Sequence, residues 1–431
     1  MMNRLFYCFA MFGILTFSCS ASAGENWTEF QDHQQVELDQ SWNWSQPPKT
    51  TWKIQLDGYG QSSPVTWDDQ VFITSVEGDN KENCLITAYA LKDGKKLWQQ
   101  SLVNPSPVEA TSYVSKAAPT PVIDRNQIVT FFEGGLLASY SLDGKLQWQK
   151  NLVEENGPID ARHGLSSSLE QNAANVFAWV ERQTDPYVLC LNKQSGEVVW
   201  KVAGLGVTSW ASPRILTTEG GDQLLLSGIG KIVALDPETG SQLWEFTEIA
   251  GNSTPTPFPL TDGRFLMGAT TGQGDGNEGR AAESNGVIAI SKSTDGTWSA
   301  NYVWKAKKAT SSFGTPVANQ EMTFFVNKTG IVFGLELNSG EERLAERTSG
   351  SVWATPLLTE NHLLLFGKSG TLDVFRLGEK PELVQTVELF TKEADATNPF
   401  AGPTLYAAIV VQDKILIRTG TELICLESAK E

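Results

Sequence analysis

The feature that most constrains this chain is a ladder of tryptophans, Trp52, Trp98, Trp148, Trp200, Trp244 and Trp304, spaced 44 to 60 residues apart. A tight turn of one kind precedes most of them. The clearest is Leu235-Asp236-Pro237-Glu238-Thr239-Gly240-Ser241-Gln242-Leu243-Trp244, which follows the short apolar run Lys231-Ile232-Val233-Ala234. Asp236 can hydrogen-bond the backbone two residues on, Pro237 presets φ, and Gly240 takes the positive-φ position that closes the turn. Related turns are Lys92-Asp93-Gly94 before Trp98, Leu142-Asp143-Gly144 before Trp148, Gln194-Ser195-Gly196 before Trp200 and Thr294-Asp295-Gly296 before Trp304. Leu337-Asn338-Ser339-Gly340 continues the series, with Leu344 in the tryptophan's place. Self-similarity at this period marks a repeat architecture.

A second marker stands earlier in each unit: a small residue and a proline leading into an apolar run. The copies are Ser63-Pro64, Thr120-Pro121, Ser212-Pro213, Thr256-Pro257, Thr315-Pro316, Thr355-Pro356 and Gly402-Pro403, with Ser167-Ser168-Leu169 as a degenerate form. Proline suits the first residue of a strand, where no ladder donor is needed. In the unit around Trp244 the strands read 213–216, 223–228, 231–235 and 241–245. Short apolar runs such as Leu363-Leu364-Leu365-Phe366 fit strands buried on both faces.

Four short strands repeated every 40 to 60 residues predict an all-β, eight-bladed β-propeller of four-stranded antiparallel blades. The units start near residues 53, 99, 149, 201, 245, 305, 348 and 390. The last unit has only three strands after its proline, 404–411, 414–419 and 422–426. The N-terminal strand Thr51-Trp52-Lys53-Ile54-Gln55-Leu56 is expected to complete it, which closes the ring. The predicted organisation is a signal peptide at 1–23, an N-terminal extension at 24–48 and the propeller at 49–428. The extension, with Trp27, Trp42, Trp44 and Pro47-Pro48, is expected to lie along the outside or stay free.

The pattern Ala234-Leu235-Asp236-x-x-Thr239-Gly240-x-x-x-Trp244 resembles the repeat of the PQQ-like (quinoprotein-type) β-propellers. The resemblance covers roughly residues 50 to 428. It implies that Trp52, Trp98, Trp148, Trp200, Trp244 and Trp304 dock between neighbouring blades. The family holds quinoprotein alcohol dehydrogenases and also non-enzymatic, BamB-like members. The dehydrogenases would be expected to show a vicinal Cys-Cys, a calcium held by carboxylate and amide, and an aspartate base. No Cys-Cys is present, no catalytic residue carries over, and the chain is short for such an enzyme.

Other chemistry is poorly supported. The formal charge of −17 disfavours nucleic acid. Cys84, Cys190 and Cys425 are far apart and read as small buried strand residues. His33, His163 and His362 show no metal spacing, and there is no nucleophile elbow or P-loop. His163 reads as a solvated loop residue. Gly274, Gly276 and Gly279 spell a GxGxxG without the strand and helix that a dinucleotide site needs. Asp275, Asn277 and Glu278 offer oxygens, but their spacing departs from a calcium loop, so a hairpin insertion is the reading. The chain opens on a positive residue, Arg4, an apolar run from Leu5 to Phe17 and Ala21-Ser22-Ala23, which reads as a secretory signal. Lipidation at Cys19 is disfavoured, because Thr16 spoils the lipoprotein box. No later stretch is apolar enough to span a membrane as a helix.

Function is therefore expected on a surface. The long loops 101–118, 151–166 and 272–286 all fall on one face, and so does the position three before each marker proline. Trp210, Phe313, Trp353 and Phe400 occupy it in four blades, Gln61 and Ala118 in two others. These residues either fill the funnel between the inner strands or form an aromatic rim for a protein or peptide partner. The resulting expectation is an exported, periplasmic or extracellular, monomeric binding scaffold without catalysis or cofactor. Its role by resemblance is envelope or outer-membrane protein assembly. The alternative is a quinoprotein oxidoreductase with PQQ and calcium in the channel.

Overall fold

The computed structural model describes residues 26–32, 35–38, 42–112, 114–161, 163–207, 209–249, 255–270, 281–311, 313–390 and 403–429. It forms eight four-stranded antiparallel sheets. Blades one to seven span 65–103, 122–151, 170–203, 214–246, 258–305, 317–347 and 357–388. Blade eight takes three strands from 405–427 and its outer strand from Lys49–Gln55, which pairs antiparallel with Glu422–Glu427. The expected eight-bladed ring, closed by the N-terminal strand, is the fold observed. Helix is limited among the described residues to one turn at Leu152–Asn156 and a 3₁₀ turn at Ala282–Ser284.

One position organises the blade interfaces. In every blade the pairing of the third and outer strands slips by one residue, and in most blades the residue after the bulge faces a small partner, with Val287 and Val374 in blades five and seven. Trp98 lies opposite Ala88, Trp148 opposite Ser139, Trp244 opposite Ala234, and Trp200 and Trp52 opposite Cys190 and Cys425. A bulge re-aims the side chain that follows it, and a small residue beneath leaves room for the indole. Two of the three cysteines are thus explained as small residues under a tryptophan.

The indoles reach the turn of the following blade, not their own. Nε1 of Trp52, Trp98, Trp148, Trp200 and Trp304 donates to the carbonyls of Leu91, Leu142, Lys193, Pro237 and Leu337, at 2.7–3.0 Å. The turn that precedes Trp244 therefore receives Trp200. Trp244 differs: its Nε1 donates to Gln223 Oε1 of its own blade at 2.7 Å, and its ring stacks on Phe265 of blade five at 6.4 Å. The cause is the long hairpin of blade five, paired as far as Lys292 and Trp298, which carries Gly296 out of reach.

This contrast gives a stability prediction. Gly240 has φ +72°, and a Cβ there would sit 2.8 Å from the Trp200 ring. Gly296 also has positive φ, +90°, but nothing lies within 4 Å. Gly240→Ala is expected to cost about 2–4 kcal/mol, from backbone strain plus overpacking, and Gly296→Ala only about 1 kcal/mol. Equal losses in denaturant titrations would separate the turn glycine from the docking of the tryptophan.

A second ring runs around the axis. In six blades the small residue of the proline marker accepts a hydrogen bond from its counterpart in the preceding blade. Ser63 N–H donates to Thr120 Oγ1, Thr120 to Ser168 Oγ, Ser168 to Ser212 Oγ, Ser212 to Thr256 Oγ1, Thr256 to Thr315 Oγ1, and Thr315 to Thr355 Oγ1, at 2.9–3.3 Å. Blade eight carries Gly402 at this place and has no hydroxyl to offer. Its seam with blade one is held instead by Arg418, fully buried, whose guanidinium donates to Ser62 O and Oγ at 3.2 and 2.7 Å and to Thr74 O at 2.5 Å. Tyr59 and Tyr406 bridge the same seam through their hydroxyls at 2.7 Å.

The extension does not lie along the outside. Its described part crosses the channel on the face opposite the long loops. Trp27 and Thr66 of blade one exchange hydrogen bonds, and Ile123 of blade two donates to Thr28 O. Arg214 of blade four donates to Phe30 O and Gln31 O at 2.9 and 2.8 Å, and Gln31 Nε2 donates to Thr355 Oγ1 of blade seven at 3.2 Å. Val36 N–H then donates to Leu358 O, and Trp42 Nε1 to Asp413 O of blade eight. Trp27, Trp42 and Trp44 are buried in this crossing.

Candidate functional site

The crossing turns the axial channel into a funnel closed at one end, with a cavity of about 450 Å³. Phe30 and Gln31 contribute its floor, the hydroxyl ring its wall, and the loops entering the blades its mouth. Arg214 anchors the floor. Its side chain is 11% exposed, pairs with Glu29 at 2.9 Å and Glu170 at 3.2 Å, and also holds the two floor carbonyls. Burial and the charge of Glu170 push the Glu29 carboxyl well above its ordinary value despite Arg214. Burial likewise raises Glu170 against the pull of the guanidinium.

Of the expected rim, Trp210, Phe313 and Trp353 line the mouth, as do Gln61 and Ala118. Phe400 lies outside the described residues, as do Arg4, Cys19, His33, Asp275, Asn277 and Glu278. Phe313 is 56% exposed and meets Trp353 edge to face at 5.0 Å, while Lys368 Nζ covers the Trp353 ring at 3.9 Å. Trp210 is half-buried beside His163, 6.2 Å between ring centroids. The loops around 104–118 and 157–166 add Ser115, His163 and Ser166 to the wall. Ser115 is positioned by a buried ion pair: Lys81 Nζ lies 3.1 Å from Glu133 and donates to Ser115 O at 2.8 Å, while Glu133 accepts the Ala117 N–H.

Sequence reasoning missed the floor and the hydroxyl ring. The ring was visible as a serine or threonine before nearly every marker proline. The floor left one signal, Arg214, a cation where five other inner strands carry Val, Phe or Leu and the strand of blade three carries its partner Glu170.

The wall is uncharged. Apart from His163 and Tyr406, no titratable side chain lines the cavity among the described residues, and none of them form a cluster of His, Cys, Asp and Glu able to hold a metal. PQQ is a polycarboxylate, and a buried anion needs paired cations or dense hydrogen bonding. Lysine, arginine and a calcium ligand set are all missing from the described lining, so these residues do not fit PQQ with calcium. The cysteines are buried and free; burial pushes the thiol of Cys190 up to about 12 and that of Cys425 to about 11, which keeps them unreactive. The His163 ring has no orienting partner among the described residues, so no general-base pair is assembled.

The sequence model of the family described as outer membrane protein assembly factor BamB matches residues 44–181 and 184–430. No curated protein sequence matches the chain. Among solved structures, BamB from Moraxella catarrhalis is similar with a TM-score of 0.59 at 14% identity, over 90% of this chain and 99% of that one. A europium-containing methanol dehydrogenase gives 0.62 at 9% identity, over 94% and 98%. Quinohemoprotein alcohol dehydrogenase from Comamonas testosteroni gives 0.59 at 11%, over 94% and 81%. At such identities these structures share the fold alone. The family match spans nearly the whole propeller, and the chain belongs to the outer membrane protein assembly factor BamB family.

Proposed function

We propose that the chain is an extracytoplasmic, non-catalytic scaffold that serves envelope or outer-membrane protein assembly by receiving a protein partner at the open mouth of the funnel. The observation that carries this reading is the mouth itself. An exposed Phe313 packed on Trp353, with Trp210 in the same rim, stands over an uncharged wall whose far end is closed. Aromatic side chains in such a setting supply most of the energy of a docking surface. A secretory signal at 1–23 would deliver the chain to that compartment, and no described helix is long and apolar enough to cross a membrane.

The test is Trp210→Ala combined with Trp353→Ala. Both rings are half-buried at a rim, so partner capture from envelope extract should fall at least tenfold while thermal stability falls little. A large loss of stability with capture retained would make the rim packing rather than a binding surface. The similarity to quinoprotein dehydrogenases keeps a second experiment worthwhile. Purified protein with added PQQ and calcium should show no stoichiometric absorbance change and no dye-coupled alcohol or sugar oxidation. Turnover would replace the scaffold reading.

A further inference from the structure

The hydroxyls of the funnel have unused hydrogen-bonding capacity. Thr120 Oγ1, Ser168 Oγ, Ser212 Oγ, Thr256 Oγ1 and Thr315 Oγ1 each accept one backbone N–H. None finds an acceptor for its own hydrogen among the described residues, so each keeps one donor hydrogen and one lone pair. Three further buried atoms in the same cavity, Gln31 Oε1, Ser115 Oγ and Ser166 Oγ, have no partner at all. Gln31 and Ser115 are both only 7% exposed. Buried polar atoms in folded proteins are nearly always paired, and a cluster that is not marks a place for water or ligand. A ligand displaces ordered water with gain only where it reproduces the lost hydrogen bonds.

The form of this capacity selects the ligand. A group that both donates and accepts at one atom matches such a wall, and a hydroxyl does so. A peptide separates its N–H from its C=O and meets half of each wall hydroxyl. Ions are disfavoured by the absence of Lys, Arg, Asp and Glu from the described lining and, for anions, by a chain charge of −17. At the mouth, Trp210 and Phe313 present apolar faces to the C–H face of a ring. The floor formed by Phe30 and Gln31 prevents threading, so a chain can enter only by its end. We propose that the funnel binds the end of an uncharged saccharide chain, held at depth by the hydroxyl wall and at the mouth by the aromatic rim.

The experiment is a titration of the full chain, followed by tryptophan fluorescence and calorimetry, with maltotriose, cellotriose and triacetylchitotriose. A sialylated trisaccharide and the capped peptide acetyl-triglycine amide serve as controls. Saturable binding of at least one neutral trisaccharide, with neither control bound, is the expected result. Ser115→Ala with Ser166→Ala removes only unpartnered hydroxyls, so the fold should keep its melting temperature while saccharide affinity falls about tenfold. Partner capture should be unchanged in this variant and reduced by the tryptophan pair, which separates failure of this proposal from failure of the scaffold reading. The proposal is overturned if no neutral trisaccharide saturates, if a control binds as tightly, or if the serine variant binds the saccharide as the parent does.

Discussion

Replacing Arg214 with methionine is expected to lower the unfolding free energy by about 3–5 kcal/mol, the usual consequence of removing one partner from a buried ionic group. Two buried carboxylates, Glu29 and Glu170, would lose their shared cation, and the carbonyls of Phe30 and Gln31 their donors. The floor of the funnel should release first. Backbone hydrogen exchange at residues 27–31 should rise to near the rate of an unstructured chain, ahead of the blades. Glu29→Gln should be far milder, because burial and the charge of Glu170 already work against the charged form of the parent carboxyl.

The same cluster has a pH signature. Burial, then Glu170, raises the Glu29 carboxyl in the folded state. The folded form therefore holds protons where the unfolded chain, with ordinary glutamates near about 4.3, has released them. Its contribution to stability is complete below that ordinary value and is lost as pH rises through the raised folded value. The difference in melting temperature between parent and Glu29→Gln should accordingly shift in favour of the variant as pH rises. A difference independent of pH would mean that Glu29 titrates normally and that the cluster is a simple ion pair.

The second large effect is expected at Trp200. Trp200→Ala should cost about 3–5 kcal/mol, since it empties the space between blades three and four and orphans the Pro237 carbonyl. Trp200→Phe should cost less, with about 1 kcal/mol assigned to the lost hydrogen bond. The Trp244→Ala loss should be of similar size to that of Trp200→Ala, because that ring is also buried, but its origin differs: it lies in the stack on Phe265 and the Gln223 contact. A near-neutral Trp200→Ala would contradict the docking of the indole on the following turn.

These contrasts show what could be read from residues alone. The blade count and the closing strand were legible because each turn and each proline marker is local chemistry, repeated. The direction of docking was not, since a turn and the tryptophan that follows its glycine, four residues later in most copies, look like one unit while the indole is spent on the next blade. Blade seven has Gln385 at the docking register. The following blade is the one whose third and outer strands are the two chain ends, so there is no third-to-outer turn to receive a ring. The floor was illegible for another reason. Its partners, Thr66, Arg214, Thr355 and Leu358, are dispersed along the chain and meet only once the ring has closed. At the mouth, Trp210, Phe313 and Trp353 could be placed from their distance to the marker proline, but the unused hydroxyl capacity beneath them depended on which groups were already paired.

The measurement that bears most directly on the scaffold reading is site-specific photo-crosslinking in the assembled envelope. A photoreactive phenylalanine would replace Phe313 at the mouth, or Glu238 in the exposed third-to-outer turn of blade four on the opposite face. Adducts to a protein partner are expected from position 313, lost in the Trp210→Ala, Trp353→Ala background, with none from position 238. Adducts from 238 and none from 313 would contradict the account.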